Sequence, residues 1–129
     1  MADAPKDILM HRKSRLLELR YADGRRLELP AELLRVYSPS AEVRGHGEGQ
    51  RILQTGKKYV NIREIEAVGN YAVRLTFDDG HDTGIYTWRH LEDLGRNERR
   101  YWSDYEAELK KANASRLPPI GVGSWTPSS

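Results

Sequence analysis

Two parts of the chain carry the side chains best suited to chemistry: the segment from Tyr37 to His46 and the turn that contains His81. His81 and His46 supply imidazole nitrogens, and Glu42 supplies a carboxylate. Imidazole and carboxylate groups bind zinc and iron. If the loop that holds Glu42 lies against the turn, these three residues form a weak site for one zinc or iron ion.

A serine hydrolase is a second chemistry that these residue types allow. Ser38 would supply the nucleophile, His46 or His81 the base, and an aspartate the orienting acid. However, the Gly-x-Ser-x-Gly pattern of a nucleophile elbow is absent around Ser38. A chain with four histidines also offers such combinations by chance.

Iron(II) oxygenase chemistry fits the sequence even less well. It needs two histidines and a carboxylate, usually as His-x-Asp with a distant histidine, on a fold larger than this chain. His81 and Asp82 are adjacent, so on a strand their side chains would point to opposite faces. We therefore predict that the protein is not an enzyme and has no catalytic residues.

The favoured role for the same residues is recognition of a protein partner, without a cofactor, because polar loops held by a rigid sheet are common recognition sites. The predicted interaction surface consists of Tyr37, Ser38, Ser40, Glu42, Arg44, His46 and His81. In preference to a metal site, Ser38 and Ser40 are expected to cap local backbone groups. The sequence leaves the partner and the oligomeric state open.

Length and composition limit the possible classes of protein. A chain of 129 residues, with 38% hydrophobic and 31% charged residues, is expected to form one domain with a modest core. No apolar run approaches the ~18 residues that span a bilayer, and the N-terminus lacks the apolar region of a signal peptide. We therefore expect a cytoplasmic protein. The absence of cysteine excludes disulfides and thiolate metal ligands.

The charge pattern argues against a nucleic-acid partner. The net charge is +2, from 21 basic and 19 acidic residues, and the acids are interspersed throughout. Strong phosphate binders usually concentrate positive charge on one face. We therefore expect a protein partner.

The first hairpin is predicted over residues 15–30, where apolar and polar residues alternate on both sides of Ala22-Asp23-Gly24. A three-residue loop there places Leu19 opposite Leu27 and Leu17 opposite Leu29, with all four leucines on one face. Such a loop needs Gly24 in the left-handed conformation.

The second hairpin is predicted around the turn that contains His81. Residues 71–77 alternate, and a two-residue turn at Asp79-Gly80 pairs Val73 with Tyr86 and Tyr71 with Trp88. The same register places His81 opposite Asp78 on the polar face, where solvent would reach it.

Two helices complete the predicted fold. Pro30 opens a short helix that ends before Ser38-Pro39, and residues 97–113 form an amphipathic C-terminal helix. We expect an α+β fold in which a twisted, mainly antiparallel sheet of hairpins packs with these helices. Residues 1–12 and the Pro-, Gly- and Ser-rich residues 114–129 are predicted to be flexible, on either side of a single domain at residues 13–113.

Over residues 14–95, this order of elements resembles the gamma-butyrobetaine hydroxylase-like N-terminal domain family, which is otherwise known as a domain of unknown function. The resemblance rests on the first hairpin, the LPAELLR helix, Ser38-Pro39-Ser40, the DGH turn and the GIYTW strand. It implies a zinc ribbon-like module in which a Cys-Pro-Cys-x-x-Cys run and a distant histidine hold one zinc ion.

Here the matching run is Ser38 to Val43, and the matching histidine is His81. All three thiolates are absent, so hydrogen bonds and packing are expected in place of the metal. Some bacterial proteins consist of this domain alone, and a similar module is appended to certain plastid P-loop carriers of iron–sulfur clusters. The resemblance therefore implies a role near iron or iron–sulfur proteins.

Overall fold

A computed structural model describes residues 2–45 and 51–119 and confirms the α+β fold class. The strands form two three-stranded antiparallel sheets, in the orders β1-β2-β3 and β4-β5-β6. In chain order the elements are β1 (Asp7–His11), β2 (Leu16–Arg20), β3 (Arg26–Pro30), α1 (Ala31–Val36), α2 (Ala41–Arg44), β4 (Ile62–Val68), β5 (Ala72–Phe77), β6 (Gly84–Thr87), α3 (Trp88–Arg96) and α4 (Glu98–Lys111).

The predicted register of the first hairpin is confirmed. Leu17 pairs with Leu29 and Leu19 with Leu27, and the backbone N–H of Tyr21 closes the three-residue loop onto the carbonyl of Arg25. Gly24 has a φ of +91°, a conformation that side chains with a Cβ rarely adopt.

The first sheet also contains β1, which lies in a segment that the sequence analysis assigned to a flexible N-terminus. That assignment was wrong for residues 7–11. Ile8 pairs with Leu19, and Met10 pairs with Leu17. The sequence signal is weak because Leu9 is also apolar, so the segment shows three consecutive apolar residues where a half-buried strand would alternate.

In the second hairpin, the predicted pairing of Val73 with Tyr86 is confirmed, but the predicted two-residue turn was wrong. The loop has three residues, 78–80, because Phe77 donates its N–H to the carbonyl of His81 across 2.9 Å. The second strand then has one extra residue between His81 and Gly84, and this restores the predicted pairing of Val73 with Tyr86. His81 consequently turns toward the interior and is only 7% exposed, which contradicts the predicted polar, solvent-facing position.

The end of this hairpin also differs from the prediction. Trp88 does not extend β6 opposite Tyr71 but begins α3, and its indole N–H donates to the carbonyl of Asn70. The hydroxyl of Thr87 caps α3 by accepting the N–H of His90. The strand therefore ends at Thr87, because its side chain caps the helix that begins at the next residue.

Both predicted helices are present. Pro30 lies immediately before α1, whose six residues are all buried, and α4 turns Tyr105 and Leu109 inward. The main core joins both sheets with α1 and α3, and a second cluster connects α1 to α4 through Val36, Tyr105 and Leu109. None of the helices in residues 2–45 and 51–119 has the length and apolar character that crossing a bilayer demands.

The segment after α4, which the sequence predicts to be a flexible tail, contacts the domain through Ser115 and Arg116. The carbonyls of Ser115 and Arg116 accept the N–H groups of Gly56 and Lys58. The guanidinium of Arg116 also forms two hydrogen bonds, of 2.8 and 2.7 Å, with the buried carboxylate of Glu32. Residues 120–129 lie outside the described part of the chain.

Candidate functional site

The segment that connects α1 to α2 lies directly against the turn of the second hairpin. As a result Ser38, Ser40 and Glu42 all contact residues of that hairpin. Ser38 Oγ lies 2.8 Å from His81 Nε2, and Glu42 Oε2 lies 3.2 Å from His81 Nδ1. Ser40 Oγ lies 2.6 Å from the hydroxyl of Thr83. We call these five residues the serine–histidine cluster.

The hydrogen-bonding roles of His81 follow from its partners. A carboxylate can only accept, so the nearby Glu42 oxygen favours the tautomer in which Nδ1 carries the proton. In the neutral ring, Nε2 is then an acceptor, and the Ser38 hydroxyl donates to it. The oxygen of Ser38 still accepts the backbone N–H of Ser40 at 3.3 Å. Every polar atom of the Ser38–His81 pair therefore has a partner within the protein.

Ser40 has a separate structural role as the N-cap of α2. Its hydroxyl oxygen accepts the N–H of Glu42 at 3.2 Å, which satisfies one of the free donors at the start of the helix. Ser40 therefore serves both as a local cap and, through Thr83, as a link to the hairpin. The prediction that the serines cap local backbone groups is confirmed for Ser40, and Ser38 likewise accepts the backbone N–H of Ser40.

Asp79 holds the backbone of His81 in place, a role that the sequence did not predict. Its Oδ1 accepts the backbone N–H of His81 at 3.1 Å, and its Oδ2 receives Arg35 Nε at 2.8 Å and Lys57 Nζ at 2.6 Å. Partial burial would raise the pKa of Asp79, but the hydrogen bonds from Lys57, from the His81 N–H and from Arg35 outweigh it and lower the pKa to about 2. The signal in the sequence was Arg35, which with Glu32 is one of two charged residues in a helix that is otherwise apolar.

The electrostatic surroundings favour a neutral His81. Burial, and next the positive charge of Arg35, lower the pKa of His81 below its ordinary value, although Glu42 and Asp79 act in the opposite direction. Burial dominates because a charged imidazole would lose most of its hydration. A neutral ring is consistent with the acceptor role of Nε2 toward Ser38.

Tight packing encloses the cluster on the side of β6. A Cβ added at Gly84 would lie 2.6 Å from Ser38 Oγ and 2.9 Å from Cε1 of Tyr86. The Tyr86 ring is fully buried, and its hydroxyl donates to the carbonyl of Leu34 at 2.6 Å. Gly84 is thus required by close approach of side chains, since its backbone is that of an ordinary strand residue.

The order serine, histidine, carboxylate matches that of a hydrolase triad, but the exposures are the reverse of what hydrolysis needs. Ser38 is 1% exposed, so its oxygen cannot reach a substrate carbonyl, while the side chain of Glu42 is 64% exposed. In a hydrolase the nucleophile faces the substrate and the orienting acid is buried. The arrangement is therefore suited to holding two segments together.

The predicted interaction surface is not a single surface in the structure. Ser38, Ser40 and His81 are buried and cannot contact a partner, so that part of the prediction was wrong. The physical reason is that their hydroxyl and imidazole groups satisfy one another internally. Tyr37 is half-buried, whereas Glu42 and Arg44 in α2 are exposed. His46 lies outside the described residues.

Comparison with known proteins assigns the domain. The family model described as gamma-butyrobetaine hydroxylase-like, N-terminal, matches residues 8–92. The chain belongs to this family. A search of curated proteins found no match.

Three solved structures are similar to this member of the gamma-butyrobetaine hydroxylase-like N-terminal family, and two of them align over almost its whole length. Two NMR solution structures align at 45% and 51% identity, with TM-scores of 0.79 and 0.76. The alignments cover 97% and 98% of this chain, and 98% and 96% of those chains. A crystal structure of a protein of unknown function from Acidithiobacillus ferrooxidans, of the DUF971 family, aligns at 41% identity and a TM-score of 0.60. That alignment covers 71% of this chain and 92% of the other.

The residues at the cluster do not fit the zinc ion that the family resemblance implies. Structural zinc requires about four ligands, and neutral serine hydroxyls are poor substitutes for thiolates. Both serine hydroxyls are already engaged in hydrogen bonds. Within residues 2–45 and 51–119, no group of three or more histidine, cysteine, aspartate or glutamate side chains is arranged to hold a metal. His81 and Glu42 supply two of the three ligands predicted for the alternative site.

Proposed function

We propose that this member of the gamma-butyrobetaine hydroxylase-like N-terminal family is a non-catalytic accessory domain that acts in the cytoplasm through a protein partner. The observation that carries the proposal is the closed serine–histidine cluster at the position where the family resemblance places a metal. A site whose polar atoms are satisfied internally stabilises the fold and leaves no open position for a substrate or an ion.

The cluster fixes the exposed helix α2 on the domain. Ser40 connects the start of α2 to Thr83, and Glu42 connects its first turn to His81. These contacts position Arg44, and the outer side of Glu42, on a rigid support. We propose that α2 is one part of the partner interface, because recognition residues commonly project from a scaffold that holds them in place.

For the identity of the partner, the proposal follows the family resemblance. Related modules occur near iron–sulfur carriers, so we propose that the partner belongs to iron or iron–sulfur protein metabolism. In this account the domain itself holds no cluster, since it offers no thiolate.

The second candidate function is metal binding by His81, Glu42 and His46. It is favoured by one observation, the 3.2 Å separation of His81 Nδ1 and Glu42 Oε2, which brings an imidazole and a carboxylate together. To bind an ion through Nδ1, His81 would have to give up the proton that it donates to Glu42.

Metal content separates the two functions. Untagged protein is purified without chelator, its zinc and iron are measured, and it is titrated anaerobically with zinc and iron(II). We expect no stoichiometric metal and no uptake at micromolar concentrations. Stoichiometric metal that is lost in His81→Ala and in Glu42→Gln would favour the metal site. Glu42→Gln is the cleaner variant, because the exposed amide still accepts a hydrogen bond from His81 while lacking the carboxylate charge.

Partner capture tests the accessory role. The tagged full chain is cross-linked in cells of the source organism, and bound proteins are identified by mass spectrometry. The variant Ala41→Arg with Arg44→Glu alters two exposed residues of α2, and Ser103→Arg with Arg99→Glu makes a matched change on α4. We expect an iron or iron–sulfur protein to be lost from the α2 variant and retained by the α4 control. Equal capture by both variants would exclude α2 from the interface.

A further inference from the structure

We infer that a second surface, remote in sequence from α2, binds an acidic segment of the partner protein. It consists of cationic side chains around an exposed tyrosine, and we call it the Tyr59 patch: Arg12, Lys13, Arg15, Lys58, Tyr59 and Arg63. This inference rests on the proposed function, since it specifies the chemistry of the partner.

Three separate segments form the patch. The turn between β1 and β2 supplies Arg12, whose guanidinium lies 3.4 Å from the carbonyl of Arg63 at the start of β4. The side-chain amide of Asn61 donates to the carbonyl of Arg12 at 2.9 Å and holds the turn against the loop before β4. Arg15 and Lys58 both lie 5.7 Å from the centre of the Tyr59 ring.

The charges of the patch are not compensated within the described part of the chain. None of its five cations forms an ion pair there, whereas Arg20, Arg25 and Arg74, elsewhere on the surface, each contact a carboxylate. All six residues of the patch are exposed, and Tyr59 is 51% exposed. Like charges held close together repel one another, so a negatively charged ligand would bind favourably here.

The backbone at Arg15 supplies an independent observation. Arg15 has a φ of 55°, in the left-handed region that residues other than glycine seldom adopt, and its carbonyl is held by the N–H of Ala31 at 2.9 Å. Glycine would occupy this conformation without strain, yet an arginine stands here with its side chain over Tyr59. Residues in sparsely populated backbone conformations cluster at functional sites.

An acidic protein segment fits the patch better than a nucleic acid. Single-stranded nucleic acids bind along grooves with several aromatic rings on which bases stack. Here one ring is exposed, and Arg15 and Lys58 already contact it. Carboxylates also border the patch, because Asp78 accepts the backbone N–H of Asn61 and Glu64 follows Arg63. A long polyanion that extends beyond the patch would be repelled by these carboxylates. An acidic segment short enough to stay on the patch would avoid them.

The strands around the patch are also suited to an extended peptide. β1 is the edge of the first sheet and β4 the edge of the second, and Arg12 and Arg63 join the end of one to the beginning of the other. Edge strands carry backbone groups that a peptide can pair with, while cationic side chains provide selectivity for acids.

The test uses the full chain and a labelled decaglutamate peptide, with binding measured by fluorescence anisotropy. Labelled decaglutamine and labelled decathymidylate serve as ligand controls. The patch variant is Arg12→Glu with Arg15→Glu and Arg63→Glu. A matched variant, Arg89→Glu with Arg99→Glu and Lys110→Glu, makes the same change of net charge on exposed positions of α3 and α4. Circular dichroism and thermal melts verify that both variants fold.

We expect decaglutamate to bind the wild type, and its affinity to fall as salt rises from about 50 to about 200 mM. The patch variant should bind about ten-fold more weakly or worse, and the matched variant should change less than about two-fold. Equal loss in both variants, or no binding by the wild type, would overturn the inference. Tighter, patch-dependent binding of decathymidylate would replace it with a nucleic-acid site.

The partner-capture experiment distinguishes failure of the patch from failure of the proposed function. If the α2 variant loses its partner while the patch variant retains it, the accessory role stands and the Tyr59 patch is excluded. If the patch variant loses its partner while the α2 variant retains it, the Tyr59 patch is a binding surface and α2 is not. If the wild type captures no iron or iron–sulfur protein while decaglutamate binding still depends on the patch, the proposed function fails and the patch remains a surface that binds acidic segments.

Discussion

The hydroxyl of Ser38 lies 2.8 Å from Nε2 of His81, although 43 positions separate the two residues in the chain. This contact joins the end of α1 to the turn of the second hairpin inside the domain. A neutral donor and acceptor connect these two parts of the fold at the position where the family resemblance implies a metal. Loss of either group leaves a buried polar atom without a partner, which makes the contact testable.

Ser38→Ala should lower the free energy of unfolding by about 1 to 3 kcal/mol, because Nε2 of His81 loses its donor while remaining buried. Urea denaturation followed by tryptophan fluorescence measures the change. Ser103→Ala, at an exposed position of α4, is the control and should stay within about 0.5 kcal/mol of the wild type. Equal stability of the wild type and Ser38→Ala would show that the contact contributes nothing.

Gly84→Ala should also destabilise the domain by about 1 to 3 kcal/mol, because the new Cβ collides with Ser38 Oγ and with the buried Tyr86 ring. The double variant with Ser38→Ala removes one of the two colliding atoms. Its cost should therefore be smaller than the sum of the two single costs. A double-mutant cycle by urea denaturation measures this coupling, and strict additivity would contradict the predicted collision.

The stability of the domain should decrease as the pH falls below about 6.5, the ordinary pKa of histidine. Burial lowers the pKa of His81 in the folded state, so protonation favours the unfolded chain. The contribution of His81 is complete above about 6.5 and is lost as the pH falls toward the folded pKa. Urea denaturation at several pH values between about 7 and 5 measures the slope.

His81→Gln should reduce this slope, and His90→Gln is the matched control. The pKa of His90 is also lowered by burial, so the control separates its contribution from that of His81. An unchanged slope in His81→Gln would place the titrating group elsewhere.

Arg116→Met should destabilise the domain by about 1 to 3 kcal/mol, because it leaves the buried carboxylate of Glu32 without its bidentate partner. Because Arg116 is partly exposed, the loss is smaller than for a fully buried ion pair. Glu32→Gln combined with Arg116→Met should restore much of the loss, since no buried charge remains unpaired. A double variant no more stable than Arg116→Met alone would argue against the ion pair as the cause.

Local patterns in the sequence were sufficient for the first hairpin. Alternating leucines and Gly24 specified both the face and the loop length, because residues within a few positions determine them. The second hairpin shows the limit of such patterns. Val73 does pair with Tyr86, but an extra residue after His81 compensates for a longer loop, and alternation in β5 alone does not reveal it.

By itself, the sequence determined the α+β class, the helices after Pro30 and Asn97, and the family resemblance, because periodicity, capping residues and short motifs are local properties. Only the tertiary structure decided that His81 is buried against Ser38, that β1 adds to the first sheet, and that Arg12 and Arg63 meet beside Tyr59. These relationships join positions far apart in the chain. They depend on how the two sheets pack on a shared core. The sequence around either residue of a pair does not reveal that packing.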